Sequence, residues 1–381
     1  MPSHYVKLLR AALMVSPVLV AIANAAGAAP FEDYIAVYNR GDYATALRII
    51  RPLADQGNAD AQYNLGVLYE KGQGVLQDNA EAMKWYRLAA DQRIASAQFN
   101  LGVMHERGQG VPQNYADALK WYHLAADQGN ADAQNNLGSL YLKGQGVPQS
   151  NAEAMKWYRL AADQKIATAQ LNLGGMYERG LGTPQDYAEA MKWYRLAAAQ
   201  GNADAQFNLG LLFANGQGAP QDYAEALKWF SLAAGQGVAK AQYNLGVMYG
   251  IGQHVPQDYT EALRWYRLAA GQGIANAQYN LGFMHEKGLG VPQDFAEAAK
   301  WYRLAAGQGD AKAQINLGLL FAKGQGVPQD YVQAYMWFDL SAAQGIPNAE
   351  TSQKVAAEKM TLAQIAEAQK LARDWKAKPE R

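Results

Sequence analysis

Ala203–Val238 reads ADAQFNLGLLFANGQGAPQDYAEALKWFSLAAGQGV. Leu209, Leu212 and Phe213 fall at helical spacing, and so do Ala226, Trp229, Phe230 and Ala233. Gly216-Gln217-Gly218-Ala219-Pro220 separates the two runs. Gly216 stands where a helix closes in the left-handed conformation, and Pro220 stops the first helix from running on. The stretch predicts a helix A, a glycine-rich turn, a helix B and a second short turn.

The same unit recurs. Asn-Leu-Gly opens at Asn64, Asn100, Asn136, Asn172, Asn208, Asn244, Asn280 and Asn316, always thirty-six residues apart, and a tryptophan keeps the interval from Trp85 to Trp337. A hairpin of this size cannot close a core alone, so the period predicts an all-α fold, an α-solenoid of stacked antiparallel helix pairs. Helix B opens on Asp222-Tyr223-Ala224-Glu225, which reads as a capping box. Its equivalents are Asp78/Glu81, Asn114/Asp117, Ser150/Glu153, Asp186/Glu189, Asp258/Glu261, Asp294/Glu297 and Asp330/Gln333. The ring pairs from Trp85-Tyr86 to Trp337-Phe338 read as core between units, in preference to sugar-stacking platforms. Gly66 and its seven equivalents sit inside helix A, where glycine costs about 1 kcal/mol relative to alanine. Its recurrence implies a neighbouring helix too close for a side chain.

The ends depart from the pattern. In the incomplete unit Phe31–Gly57, Asp42 caps a helix B in which Ile49 takes the tryptophan slot and Pro52 is expected to introduce a kink. Residues 26–58 thus form an N-terminal capping repeat, 59–346 eight whole units, and 347–381 a C-terminal cap. That cap reads as one helix within Pro347–Met360 and another from a Thr361/Gln364 capping box to about Lys376. Gln364, Glu367, Lys370, Arg373 and Lys376 share one side of the last helix, as a solvent-facing terminal helix needs.

A chain of 381 residues would ordinarily hold two or three domains, but the unbroken period argues for one elongated body. Hydrophobic residues make up 50%, enough for a continuous core. With 34 basic and 34 acidic residues there is no electrostatic footprint for nucleic acid or anionic membrane. Residues 1–25 read as a secretory signal: His4, Lys7 and Arg10, an apolar run from Ala11 to Ala23, then Ala23-Asn24-Ala25, with a second cleavage option at Ala28. An uncleaved apolar anchor is the alternative, disfavoured because the run is short for a bilayer. Cleavage would leave no integral membrane span, and removing Lys7 and Arg10 leaves 32 basic against 34 acidic residues, a net of −2. The absence of cysteine excludes disulfides, thiolate metal sites and a lipid-bearing cysteine.

The pattern A-x-A-Q-x-N-L-G-x-x-Y, then G-x-G-V-P-Q-D-Y-x-E-A-x-K-W-Y-x-x-A-A, resembles the Sel-1-like repeat, a relative of the tetratricopeptide repeat. The resemblance covers Ala59–Ile346, with Leu76 for the loop proline, His254 for the second loop glycine, and Ala299 and Tyr335 altering helix B. It implies a right-handed superhelix with helix A lining the concave side. It also implies adaptor or scaffold roles in protein assembly or signalling, with exported bacterial members acting at the cell envelope or towards a host.

On helix A, slots 2, 5, 9 and 12 share a face, and similarity to tetratricopeptide repeats places that face in the groove. These slots supply the binding candidates: Asp60, Tyr63, Glu70, Phe99, Glu106, Asn135, Ser139, Leu142, Leu171, Glu178, Phe207, Lys240, Tyr243, Tyr279, Phe283, Glu286 and Lys312. Slot 2 passes from Asp60, Asp132 and Asp204 to Lys240 and Lys312. The expectation is a groove for an extended or helical peptide with charge polarity along it.

Little points to catalysis. His105 and His285 occupy an aromatic slot and read as packed ring substitutes, His123 replaces an exposed arginine, and His254 lies in a turn. No histidines fall at metal-ligand spacing. The Gly72-Gln73-Gly74 turn lacks the strand and Lys-Ser/Thr of a phosphate loop. Lys84, Arg87, Lys192 and Arg195 belong to a basic rail on helix B that reads as a solvated face. The chain is thus expected to be a non-enzymatic, periplasmic or secreted scaffold for a protein or peptide partner, without cofactor or metal. The alternatives are an envelope protein that binds peptidoglycan or other polysaccharide, and a wall-active hydrolase.

Overall fold

The computed structural model describes residues 28–376, and the expected secretory segment lies outside them. Among the described residues there are twenty α-helices and no strand. The first seven are α1 (Ala28–Asn39), α2 (Tyr43–Asp55), α3 (Ala59–Lys71), α4 (Asn79–Asp91), α5 (Ala95–Arg107), α6 (Tyr115–Asp127) and α7 (Ala131–Lys143). Then come α8 (Asn151–Asp163), α9 (Ala167–Arg179), α10 (Tyr187–Ala199), α11 (Ala203–Asn215), α12 (Tyr223–Gly235), α13 (Ala239–Ile251) and α14 (Tyr259–Gly271). The last six are α15 (Ala275–Lys287), α16 (Phe295–Gly307), α17 (Ala311–Lys323), α18 (Tyr331–Ala342), α19 (Ala349–Ala357) and α20 (Leu362–Asp374).

The chain divides after Gln149 into two compact units, so that the third repeat gives its helix A to one and its helix B to the other. Within each unit the hairpins stack, each helix B packing on the helix A of its own repeat and on that of the next. Successive A helices also meet directly, as α5 and α7 do in the first unit and α13, α15 and α17 in the second, whereas the B helices approach one another less closely. Helix A therefore lies on the inner side of each stack.

The turn chemistry explains the hairpin. Gly72, Gly108, Gly144, Gly180, Gly216, Gly252, Gly288 and Gly324 close the A helices with φ between 64° and 70°, the left-handed region that glycine enters without penalty. At the start of helix B, Asp78 Oδ1 accepts from the amides of Ala80 and Glu81. The expected second half of the capping box is not formed there. The Asp78 amide instead donates to the Tyr69 carbonyl at 3.0 Å, in the last turn of the preceding helix. Glu81, released from that duty, pairs with Lys84. Asn114, Asp186, Asp222, Asp258, Asp294 and Asp330 make the same backbone bond. Among the described residues the reciprocal box forms at Thr361 and Gln364.

The core separates the two rings of each pair. Tyr86, Tyr122 and Tyr302 are fully buried and Tyr194, Phe230 and Phe338 nearly so, whereas most of the neighbouring tryptophans are half-buried and only Trp157, Trp193 and Trp337 are buried. The deep ring explains the mid-helix glycine. A Cβ on Gly66 would stand 2.7 Å from the Tyr86 ring, and one on Gly102 2.5 Å from Tyr122. The close neighbour is thus a ring from helix B of the same repeat.

A second polar layer ties turns together. Gln62, buried in α3, donates to the Ala54 carbonyl and accepts from Gln92, whose amide also reaches the Gly57 carbonyl at 2.9 Å. Gln206/Gln236, Gln242/Gln272 and Gln278/Gln308 repeat the arrangement, so the buried amide of each A helix is tied to the turn that follows its own repeat.

At the ends, α2 runs from Tyr43 to Asp55 with Pro52 inside it. The C-terminal cap forms as α19 and α20, and the expected polar side of α20 is exposed from Gln364 to Arg373, with Lys376 exposed just beyond.

Candidate interaction surfaces

In slot 5 of helix A, Tyr63, Phe99, Phe207, Tyr243 and Tyr279 are half-buried. Each leans on the deep ring of its own repeat, Tyr63 on Tyr86 at 5.7 Å between centroids and Tyr243 on Tyr266 at 6.0 Å. These rings show one edge to the inner face and give the rest to the core. Burial raises the pKa of Tyr63, Tyr243 and Tyr279 above the ordinary phenol value, so all three remain neutral donors.

Slot 12 carries a structural duty that the sequence reading did not assign. Glu70 accepts from the Tyr86 hydroxyl at 2.5 Å, Glu106 from Tyr122 at 2.5 Å, Glu178 from Tyr194 at 2.5 Å and Glu286 from Tyr302 at 2.7 Å. The next repeat joins in: Asn136 donates to the Tyr122 hydroxyl at 3.1 Å and Asn316 to that of Tyr302 at 3.1 Å. A Glu–Tyr–Asn relay therefore crosses from one repeat to the next at these two places and gives Asn136 and Asn316 of Asn-Leu-Gly a partner. Burial first, and the glutamate after it, push these phenols far above their usual range. Where the deep ring is Phe230 or Phe338, with no hydroxyl, slot 12 is Ala214 or Ala322. That pairing, legible within the one chain, was the available signal.

The remaining candidates are distributed along both units. Asp60, Lys240 and Lys312 are exposed, Phe283 is exposed at 37%, and Asn135, Ser139, Leu142 and Leu171 are half-buried. Three candidates come together in the second unit. Tyr243, Tyr279 and Lys312 line an open cleft of about 340 Å³ with Asn276, Asn280, Asp310, Ala311 and Ile346. Of these additional residues, Asp310 had a sequence signal: it is a carboxylate in a helix-start slot that is otherwise Asn, Ile or Val. The cleft offers aromatic edges, amides and one charge of each sign, a set suited to holding a polar chain.

The two helix A histidines are packed. His285 is buried and His105 half-buried, and in each the Nδ1 atom is buried without a hydrogen-bond partner. Burial, reinforced by Arg87 and Lys120 at His105 and by Arg267 at His285, lowers both pKa values. His123, expected to be exposed, is half-buried because it meets Tyr141 edge-on at 6.0 Å with Nε2 3.1 Å from the hydroxyl. His254 stacks on Tyr223 at 4.1 Å. Among the described residues no His/Asp/Glu cluster is arranged to hold a metal ion, and no helix is long and apolar enough to cross a membrane.

On helix B the lysines pair within their own helix, as Lys192 does with Glu189 at 3.1 Å. Arginines lie over aromatic rings, Arg195 over Phe213 at 5.5 Å and Arg303 over Phe321 at 5.7 Å.

The Sel1 repeat is matched eight times, at residues 59–93, 95–130, 131–165, 167–202, 203–238, 239–274, 275–310 and 311–346. Among solved structures the chain is similar to a protective antigen of uropathogenic Escherichia coli strains with an SLR fold. The identity is 33% over 92% of this chain and 84% of that one, with a TM-score of 0.59. It is also similar to a Sel1 repeat protein from Oxalobacter formigenes, at 34% identity over 81% of this chain and 89% of that one, with a TM-score of 0.63. No curated protein matches the chain.

Proposed function

The chain belongs to the Sel1 repeat family, and on that premise we propose that it is an exported, non-enzymatic scaffold that binds a peptide or protein segment along its helix A face. One observation carries the reading: the slots that build the core recur almost unchanged, while slots 2, 5, 9 and 12 differ from repeat to repeat. A surface with no partner would also vary. Here the variation gathers Tyr243, Tyr279 and Lys312 around a cleft with Asn276 and Asp310, and this supports a segment held by hydrogen bonds and ring edges.

Affinity capture from the native envelope with the Lys240→Glu/Lys312→Glu protein tests the site. Both lysines are exposed, and Lys312 lines the cleft, so the fold is retained while the slot 2 charge of the helix A face reverses. Loss of the partner recovered by the unaltered chain is expected, and undiminished recovery would remove the helix A face from consideration. Cosedimentation with purified wall polysaccharide would redirect the same face to glycan. Action in the periplasm or outside the cell is supported by the basic start, the short apolar run and Ala23-Asn24-Ala25. N-terminal sequencing should find a mature start at Ala26 or Ala29; an intact Met1 would refute export by this signal.

A further inference from the structure

The outward side of helix B carries a feature unrelated to that cleft. Counted from the first residue of each B helix, slots 2, 6, 9, 10 and 13 fall on one face. In α10, α12, α14 and α16 slot 10 is Leu196, Leu232, Leu268 and Leu304, exposed at 45%, 46%, 46% and 52%. The slots around them hold Lys192, Arg195, Lys228, Arg264, Arg267, Lys300 and Arg303, with Glu189, Glu225, Glu261 and Glu297 two turns before the leucines. Slot 13 is Asp91, Asp127 and Asp163 in α4, α6 and α8, but Ala199, Gly235, Gly271 and Gly307 in these four helices. Lys192, Lys228, Arg264 and Lys300 are matched by a glutamate of their own helix. Arg195, Arg267 and Arg303 are left in excess. Where His285 replaces the stacking ring, Arg267 lines an open cleft of about 480 Å³ with Arg264, Leu263, Leu268 and Val291.

We propose that this back face of the second unit is a separate docking surface, and that its occupant is an acidic amphipathic helix of a partner protein with leucine-type side chains set between carboxylates. The chain itself shows how such a row is covered. Slot 10 of α18 is Leu340, half-buried where α19 and α20 pack on α18 and Trp375 meets Trp337 at 6.2 Å. In that covered repeat slots 6 and 9 have become Met336 and Asp339. The four uncovered repeats keep their cations, so an occupant there must bring the opposite charge. A helix fits better than a lipid surface. The leucines stand only half clear of their helix, short for reaching into acyl chains but suited to interdigitation, and the Arg267 cleft accepts individual side chains.

The test is fluorescence anisotropy of the full chain with a labelled synthetic helical peptide carrying leucine and glutamate on one face. Saturable, salt-sensitive binding is expected, and a peptide with lysine for glutamate should not bind. Arg195→Glu/Arg267→Glu and Leu232→Ser/Leu268→Ser alter exposed positions, so circular dichroism should be unchanged while each pair weakens binding by roughly tenfold or more. Lys240→Glu/Lys312→Glu should leave it intact, which separates this surface from the helix A face. Absence of peptide binding, or affinity indifferent to both back-face pairs, overturns the proposal. So does binding to phosphatidylglycerol vesicles without binding to the peptide.

Discussion

Repeats four and five sit next to each other in the second unit and differ in how they treat the same space. In repeat four Tyr194 donates to Glu178 at 2.5 Å and Trp193 is buried; in repeat five Phe230 faces Ala214, and Trp229 is half-buried with its indole donating to Glu225 at 3.0 Å. Repeat four is entered through Lys165 at φ 67°, repeat five through Gly201 at φ 85°. These two repeats thus show two interior solutions, a polar pair and an apolar one, while Tyr158 and Tyr266 keep the hydroxyl with Leu142 and Gly250 in slot 12. The lesson concerns function as well as stability: an acid on the inner face is present for its hydroxyl donor before it is available to a ligand.

The largest effect that would test this contrast is at the tryptophans. Trp193→Ala should lose about 3–5 kcal/mol, tempered by an indole N–H that is already buried without a partner, and Trp229→Ala clearly less. Urea unfolding of both variants measures the gap, and equal losses would erase the distinction. Next comes the coupled pair. Tyr194→Phe leaves Glu178 half-buried without its donor and should cost about 1–3 kcal/mol. Adding Glu178→Ala, which recreates the solution of repeat five, should recover most of that, and a double-mutant cycle reads the coupling. A smaller change of opposite sign is Lys165→Gly, which relieves a left-handed lysine and should add about 1 kcal/mol.

The comparison extends to repeats seven and eight, where His285 stands in the slot of Phe321. Burial and Arg267 hold the His285 pKa below its ordinary 6.5, against the opposing pull of Glu297 and Asp294. The unfolded chain therefore binds the proton first. Stability should be complete above pH 6.5 and decline as pH falls from there towards the lower folded-state value. His285→Phe should flatten part of that decline in thermal melts across this range, the remainder belonging to His105, which is shifted in the same direction.

The periodicity determined the hairpin because glycine, proline and cap residues act locally, and Gly216, Pro220 and Asp222 each carry their instruction in their own backbone chemistry. What escaped the sequence depends on reach across elements. Trp193 and Tyr194 are adjacent in sequence and both fit an apolar stripe; a difference of one helical position decides which points at Gly174 and is buried more deeply. The second half of the helix B capping box failed for a similar reason, since the competing acceptor, the Tyr69 carbonyl, belongs to another helix. Among the surface candidates, exposure at Lys240 and Lys312 followed from a simple face argument. Glu70 and Glu178 did not, because their partners lie sixteen residues away across a turn.

The glutamine rungs have a mechanical consequence. Gln92 holds the Gly57 carbonyl thirty-five residues back, and Gln236, Gln272 and Gln308 do the same for Gly201, Gly237 and Gly273. A pull on the two termini loads these amide ties in series. Under an optical trap the array should therefore yield in discrete rips, each releasing one thirty-six-residue hairpin with a contour of about 120 Å, and a glutamine-to-alanine change at one rung should mark where the first rip begins.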